Sequence, residues 1–507
     1  MDMGIVDLVG STAPQRSRNT QNSKLYGLTN QANFSRGLDS SRMHKNSPVG
    51  PVAQIIIDSV DSVLDSSPNI VRVDYSPPVD ADIALILSKP LDGTDISKIR
   101  ILEFVESAET SGRFLNLCLS LNVVKFFEAN ERVRFKGVIA IEHTSLVPVY
   151  PLNFATFRSS VVGDWCRRAA IYLGYSTKTR YFVQDSARQV DLVREQLRVG
   201  NYQPRKTSIG KGDHTIGRVF AEGICREDGL SVSSSRQFAR ELFPLGASGV
   251  RRPGYTDWVS DVIEGWKSTF RNTGIKMDHF DRESQILKEL KWQKILEKAR
   301  EIQLADFRLP RQTETPSMLT YFEWSILYYY FALGSVERLI SVIPARQKHL
   351  QQAAKTVVLQ LLDRPEADLV IIPVGDVCPY GRRDSLRNGQ FTSVDDLNLY
   401  ENRDQRLILE KFLLCRASTS IDVVFPLTRR KIPPCQKEGR RLKSPTVLAI
   451  LLLDQLPSYL IAGLLKGDFA NTLSWVAQAK ICLAELNSSN PTLQNMLESA
   501  IEAFDTK

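Results

Sequence analysis

Between Gly137 and Val374, compact apolar runs alternate with segments of helical periodicity. Val138–Ile141, Thr179–Val183, Arg338–Ile343 and Leu369–Val374 are too short for helices and too apolar for surface segments. They read as strands buried on both faces. Helical spacing covers Ser159–Leu173, which stops at Gly174, a residue suited to the position just past a helix end. It covers His349–Leu362 as well. Buried strands separated by helices pair in parallel, because a parallel connection must cross the sheet and a helix is its usual carrier. An α/β unit with a parallel sheet is therefore expected over 137–404.

The flanks follow different patterns. Residues 1–50 are rich in Ser, Asn, Gln and Arg, lack apolar periodicity, and read as a disordered, mildly basic tail. They lack the apolar stretch of a signal peptide; frequent Arg and Ser leave a transit peptide open, although Asp2 and Asp7 count against it. Residues 51–136 hold helical spacing at Ile56, Val60 and Leu64, then short apolar runs at Ile83–Leu87, Ile99–Val105 and Phe114–Leu121. This predicts a small α+β domain. From 405 to 507 the chain reads as helical throughout, with apolar stretches at Leu407–Leu414, Thr446–Leu465 and Thr472–Leu486. Val447–Leu465 is long enough to cross a bilayer, but Asp454, Gln455 and Pro457 interrupt it, so a buried bundle helix is expected. The stretch 189–312 is polar. Glu283–Leu304 reads as one charged amphipathic helix, and Gly210-Lys-Gly-Asp-His-Thr-Ile-Gly217 as a flexible insertion that lacks phosphate-loop spacing.

Composition closes several alternatives. The 507 residues are 43% apolar and 24% charged, which excludes wholesale disorder and a disulfide miniprotein. The net charge of +8 favours acidic partners, nucleic acid first. Seven dispersed cysteines form no CxxC pair and five histidines form no metal-ligand spacing, so reduced thiols, a cytoplasmic setting and no metal are expected.

One segment carries more. Ile141-Glu-His-Thr-Ser-Leu-Val-Pro-Val-Tyr-Pro-Leu-Asn-Phe-Ala-Thr-Phe-Arg158 leads through Gly163-Asp164 to Tyr181-Phe-Val-Gln-Asp-Ser-Ala-Arg-Gln189. In frame and spacing this resembles arginyl-tRNA synthetases, class I enzymes with a Rossmann-type catalytic domain. Thr320-Tyr-Phe-Glu-Trp-Ser-Ile-Leu-Tyr328 is similar to that family's Thr-Tyr-Phe-Ala-Arg-Asp-Ile-Ala-Tyr. Ile340–His349 resembles its strand followed by Gly-Ala-Asp-His-His-Gly, and Arg383–Leu397 its Lys-Met-Ser-Lys-Arg-x-Gly-Asn segment running into Thr-x-Asp-Asp-Leu. Leu407–Arg416 resembles the entry to its helical, DALR-type anticodon-binding domain. The resemblance implies a Rossmann-type synthetase domain, a small N-terminal domain that touches the tRNA elbow, and a C-terminal helical bundle.

The departures from the family pattern fall on its chemistry. The His-Ile-Gly-His motif reads Asn153-Phe154-Ala155-Thr156 here. Asn153 and Thr156 carry no positive charge, and Ala155 adds a methyl where backbone must approach a ligand. The Lys-Met-Ser-Lys motif reads Arg383-Asp384-Ser385-Leu386, and Leu386 cannot offset phosphate charge in a transition state. In the implied amino-acid pocket the family's Asn is Val147 and its substrate-pairing Asp is Ser325. The pocket Tyr is kept as Tyr321, and Gly-Ala-Asp-His-His-Gly becomes Pro344-Ala-Arg-Gln347-Lys-His349. A Ser in place of Asp near Arg346 and Lys348 disfavours a cationic substrate.

The resemblance and its departures imply a degenerate synthetase domain: a non-catalytic paralogue that binds tRNA or other RNA, acts as adaptor or regulator, and needs no cofactor. The expected partners are tRNA, arginine tRNA among them, and a tRNA-modifying enzyme or other protein. No membrane is expected, and a monomer is. The basic cluster Arg429, Arg430, Lys431, Arg440, Arg441 and Lys443 is the candidate RNA contact. An active arginine–tRNA ligase using ATP, with Arg387 or Lys348 replacing the lost groups, is the first alternative. A protein scaffold without RNA is the second.

Overall fold

The computed structural model describes residues 50–64, 70–74, 81–124, 135–199, 210–246, 257–302, 315, 319–379, 391–397, 413–414, 423–425, 445–486 and 490–504. Helix α1 (Pro51–Val63) opens with proline at its first position, where a missing N–H costs nothing. Its next two amides, of Val52 and Ala53, donate to the carboxylate of Asp454 at 2.8 and 3.2 Å. The helix is thus capped by a side chain some 400 residues away. Gly50 is required at that junction, because a Cβ there would overlap Asp454.

Four antiparallel strands follow, β1 (Ile70–Asp74), β2 (Ile83–Leu87), β3 (Val105–Ser111) and β4 (Phe114–Leu119), in the order β1-β2-β4-β3. Helix α2 (Gly93–Ile99) crosses between β2 and β3. The apolar run from Ile99 to Val105 therefore ends one helix and begins a strand. Ile83 and Leu85 of β2, Leu115 and Leu117 of β4, and Ile56 and Val60 of α1 are all buried.

The expected parallel sheet is present. Strands β5 (Val138–Leu146), β6 (Ser176–Val183), β7 (His279–Arg282), β8 (Arg338–Pro344) and β9 (Leu369–Val374) run parallel in the order β7-β6-β5-β8-β9. From β5 the chain builds outward to one side through β6 and β7, then returns to build β8 and β9 on the other. The strand order reverses between β5 and β8, and such a switch point leaves a crevice at the carboxyl ends of the strands.

Helix α3 (Phe154–Tyr172) joins β5 to β6 and is buried along most of its length. Gly163 lets it settle on β5: a Cβ there would stand 2.7 Å from the His143 ring. The polar stretch folds into α4 (Arg188–Val199), α5 (Gly212–Glu227), α6 (Val232–Leu242) and α7 (Trp258–Thr273). The Gly210–Gly217 insertion is accordingly not flexible. It opens α5, in which Ile216, Val219 and Phe220 are buried beside charged neighbours. The single helix expected over Glu283–Leu304 is two, α8 (Glu283–Glu289) and α9 (Trp292–Glu301). Leu290 is extended between them, which turns Trp292 into the core. Helices α10 (Tyr321–Leu333) and α11 (Lys348–Leu362) complete the layer.

Strands β10 (Val377–Pro379) and β11 (Val423–Phe425) form a short parallel pair, so the segment after 404 is not helical throughout. Its helices are α12 (Pro445–Lys466), α13 (Ala470–Glu485) and α14 (Pro491–Phe504). Helix α12 is long and apolar enough to span a bilayer, but most of its apolar stretch is buried within the fold, Asp454 included. Near Pro457, which has no N–H to donate, the Leu452 carbonyl accepts from Trp475 Nε1 at 2.6 Å. Arg158 of α3 is fully buried and donates Nε to the Leu413 carbonyl at 2.8 Å, tying the sheet layer to the C-terminal part.

Candidate ligand cavity at the switch point

The start of α3 is closed by the chain itself. Asn153 is its N-cap, and its Oδ1 accepts both the Thr156 N–H at 2.9 Å and the Thr156 hydroxyl at 2.7 Å. Segment 391–397 runs antiparallel across this turn. The Thr392 carbonyl accepts from the Phe154 N–H at 2.8 Å, and the Val394 N–H donates to the Leu152 carbonyl at 2.9 Å. Amides that an anion would need at a helix N-terminus are thereby spent on protein acceptors.

Segment 391–397 is held from its other side by a buried polar cluster. Asp395 accepts from Lys211 at 2.5 Å, from Thr269 at 3.0 Å, and pairs with His214 Nε2 at 2.9 Å. Lys211 also bonds Asp213 at 3.1 Å. Burial raises the Asp213 carboxyl above the usual carboxylate range. Residues of the supposed insertion thus anchor the loop that crosses α3.

A small cavity lies at the switch point, with room for about one water between its walls. Glu142 and Ser145 come from β5, Ile343 and Pro344 from β8, and Phe182 from β6. Tyr321, Trp324, Ser325, Tyr328 and Tyr329 come from α10, Gln347 and Gln351 from the start of α11. Sites at such a place are the rule for open parallel sheets. Residues 321, 325 and 328 recur at helical spacing and share one face of α10. A capping box between Thr320 and Glu323 fixes where that face points.

The polar groups of the cavity form chains. Tyr321 Oη donates to Gln347 Oε1 at 3.0 Å. Ser325 Oγ donates to the Tyr321 carbonyl at 2.9 Å and so must accept from Gln351 Nε2 at 3.0 Å. Tyr329 Oη lies 3.0 Å from Ser341 Oγ, which in turn donates to Glu142. Burial pushes the Glu142 carboxyl up to about 8, against the lowering effect of the Ser341 hydrogen bond. The cation that acts on it, Arg180, is committed to Asp281 by bonds of 2.6 and 3.0 Å.

Of the residues singled out in the sequence, Tyr321, Ser325 and Gln347 meet in this cavity. Val147 does not; it lies on the turn beyond β5. Asn153, Ala155 and Thr156 lie together at the start of α3. Arg383, Ser385 and Leu386 fall outside the described residues, as do Arg429, Arg430, Lys431, Arg440, Arg441 and Lys443. Sequence reasoning missed Glu142, Tyr328 and Gln351. An acid inside a buried strand was the signal for the first, and a second Gln one turn after Gln347 for the last.

No protein-family model matches the chain. The arginine–tRNA ligase of Methanocaldococcus jannaschii is 24% identical over 391 residues, 68% of this chain and 66% of that protein. That of Methanocella arvoryzae is 24% identical over 342 residues, 61% of this chain and 59% of that protein. The matches span no more than about two thirds of these relatives' length. In three dimensions the chain is similar to Thermus thermophilus arginyl-tRNA synthetase, with a TM-score of 0.53 and 15% identity over 90% of this chain and 92% of that one. Plasmodium falciparum arginyl-tRNA synthetase gives 0.57 and 12% over 90% and 97%. At these identities the structural likeness speaks for the fold. The chain is thus similar in sequence to arginine–tRNA ligases and shares the fold of solved arginyl-tRNA synthetases.

Proposed function

We propose that this chain is a non-catalytic member of that family which binds tRNA, arginine tRNA among the candidates, and acts as a cytoplasmic adaptor or regulator. The observation that carries the reading is at the start of α3. The two side chains standing where the family has histidines, Asn153 and Thr156, bond to each other, and Thr392 takes the Phe154 amide between them. Neither side chain can offer a positive charge to a triphosphate. The amino-acid pocket supports the same reading. Ser325, in the place of an Asp, spends its proton on the Tyr321 carbonyl, and Glu142 is left as the cavity's only carboxyl among the lining residues. Such a role needs neither ATP nor a metal, and a tRNA-modifying enzyme is a fitting partner for a protein that holds tRNA without charging it.

The RNA contact proposed is the basic segment Arg429–Lys443, whose phosphate contacts give an affinity that falls steeply with salt. The test combines two measurements on the full chain. Incubation with arginine, ATP and arginine tRNA should give no aminoacylation above background, and tRNA should shift the protein in a binding assay at moderate salt. Robust charging overturns the reading in favour of an active ligase. Absence of both charging and RNA binding favours a protein scaffold.

A further inference from the structure

Two residues that line the switch-point cavity each carry a buried polar atom with no hydrogen-bond partner among the described residues: Tyr328 Oη and Gln351 Oε1. Tyr328 is 2% exposed and Gln351 5%. Buried polar atoms are nearly always paired, with protein, water or ligand, so an orphan in a cavity wall marks a place for a partner. One of the two can only accept, whereas the Tyr328 hydroxyl can donate and accept. Because Ser325 must accept from Gln351 Nε2, the unpartnered atom of Gln351 is its carbonyl oxygen, an acceptor. Tyr328 offers a hydroxyl. Glu142, 4% exposed, is the one carboxyl among the lining residues, and the rings of Phe182, Trp324 and Tyr321 supply flat walls.

We propose that this cavity binds a neutral planar amide, a urea or carboxamide head group, in preference to a guanidinium of the same shape. A urea brings N–H donors for Gln351 Oε1 and a carbonyl for hydroxyl donors on the facing wall. A guanidinium brings five donors and no acceptor, and leaves the hydroxyl of Tyr328 with nothing to donate to. Charge points the same way. The groups that face Glu142 are Ser341 of β8, Tyr321, Tyr328 and Tyr329 of α10, and the mutually neutralised Arg180 of β6 and Asp281 of β7. Arg346, bonded to Asp376, lends a positive field at Tyr321. Glu142 holds its proton at neutral pH and is itself a donor. The space left between the closed walls admits about one water, so entry requires the Tyr321–Gln347 hydrogen bond to open.

This inference rests on the amino-acid pocket having lost its cationic substrate, and it is tested apart from tRNA handling. The full chain is titrated by calorimetry with n-butylurea and n-butylguanidinium, then with L-citrulline and L-arginine, at pH 6, 7.5 and 9. The expected result is binding of the ureas at millimolar concentrations or tighter, at least about tenfold tighter than the guanidinium partner. The urea affinity falls as pH rises through about 8, where Glu142 loses its proton. Tyr328→Phe, which removes an unpartnered hydroxyl and should fold normally, weakens the ureas about tenfold. Gln351→Leu is the second variant and acts in the same direction.

Equal or tighter guanidinium binding, with affinity rising through pH 8, overturns the proposal. So does the absence of urea binding, or an affinity untouched in Tyr328→Phe, since one bound water then accounts for both orphan atoms. If no urea binds while the same protein shifts tRNA and does not charge it, the ligand proposal falls and the proposed function stands. If arginine is charged onto tRNA, both fall.

Discussion

Glu142→Gln tests the electrostatics of the central strand. In the folded chain the Glu142 carboxyl is raised from 4.5 to about 8, chiefly because burial removes the water that would solvate its charge. A group whose folded value lies above its unfolded one binds its proton more firmly in the folded state. Between the two values the unfolded chain has already released the proton and the folded chain has not. Stability is therefore fully present below about pH 4.5, and declines as pH rises toward 8. Each unit of the difference corresponds to about 1.4 kcal/mol, so the decline is on the order of 3 kcal/mol by pH 7 and about 5 kcal/mol by pH 8.

Gln has nearly the same shape, keeps a partner for Ser341, and does not titrate. Thermal melts of wild type and Glu142→Gln at half-unit steps from pH 5 to 9 read the difference directly. Other titrating groups cancel in the comparison, including Glu283, which burial also raises to about 8. The variant should gain on the wild type by about 3 kcal/mol up to pH 7, a rise in Tm of roughly 5–10 °C for a cooperative unit of 150–250 residues. The gap should level off above pH 8. Parallel profiles between pH 5 and 8 would refute the reasoning, because they mean that Glu142 ionises in the folded protein as it does in water.

Asp454→Ala removes the cap of α1 and leaves the Val52 and Ala53 amides buried; a loss of about 1–3 kcal/mol in denaturant melts is expected. Asp395→Asn should speed hydrogen exchange at the Phe154 and Val394 amides, because the cluster of Lys211, His214 and Thr269 no longer holds segment 391–397. Joint charge reversal of Arg440 and Arg441 should lower tRNA affinity and flatten its salt dependence by about two in slope, read by filter binding across a salt series. The double change Asn153→His with Thr156→His should not restore aminoacylation, since the pocket change at Ser325 remains.

The strands of the parallel sheet were legible because burial on both faces writes a continuous apolar run, and α11 because its apolar residues recur at helical spacing. Strand β7 was not, since it is a four-residue edge strand whose residues, His279 to Arg282, include two that pair with partners across the sheet or loop. The helices α5 and α7 were hidden for a related reason. The start of α5 buries charge against α7: Asp213 meets Gly265, and the N-cap Lys211 donates to Thr269. A pattern that counts apolar positions reads such a pair as solvent-exposed.

The cavity was half legible, and its two halves differ in kind. Tyr321, Ser325 and Gln347 were found through the resemblance to the family's motifs. Glu142, Tyr328 and Gln351 come into view only when the side chains are followed to their partners. The two sets bear on function differently. The motif residues report where this chain departs from the family pattern: Asn153 and Thr156 bond to each other, and Ser325 bonds to the Tyr321 carbonyl and Gln351. The unmatched residues report what persists. A chain that had merely lost a ligand would be expected to fill the vacated pocket with apolar side chains, since each buried orphan polar atom costs about 1–3 kcal/mol. Here Tyr328 and Gln351 keep their polar ends in the cavity wall, beside a protonated acid. That cost is offset only when something hydrogen-bonds to them, which is why binding by the Tyr328→Phe chain separates a site in use from a relic.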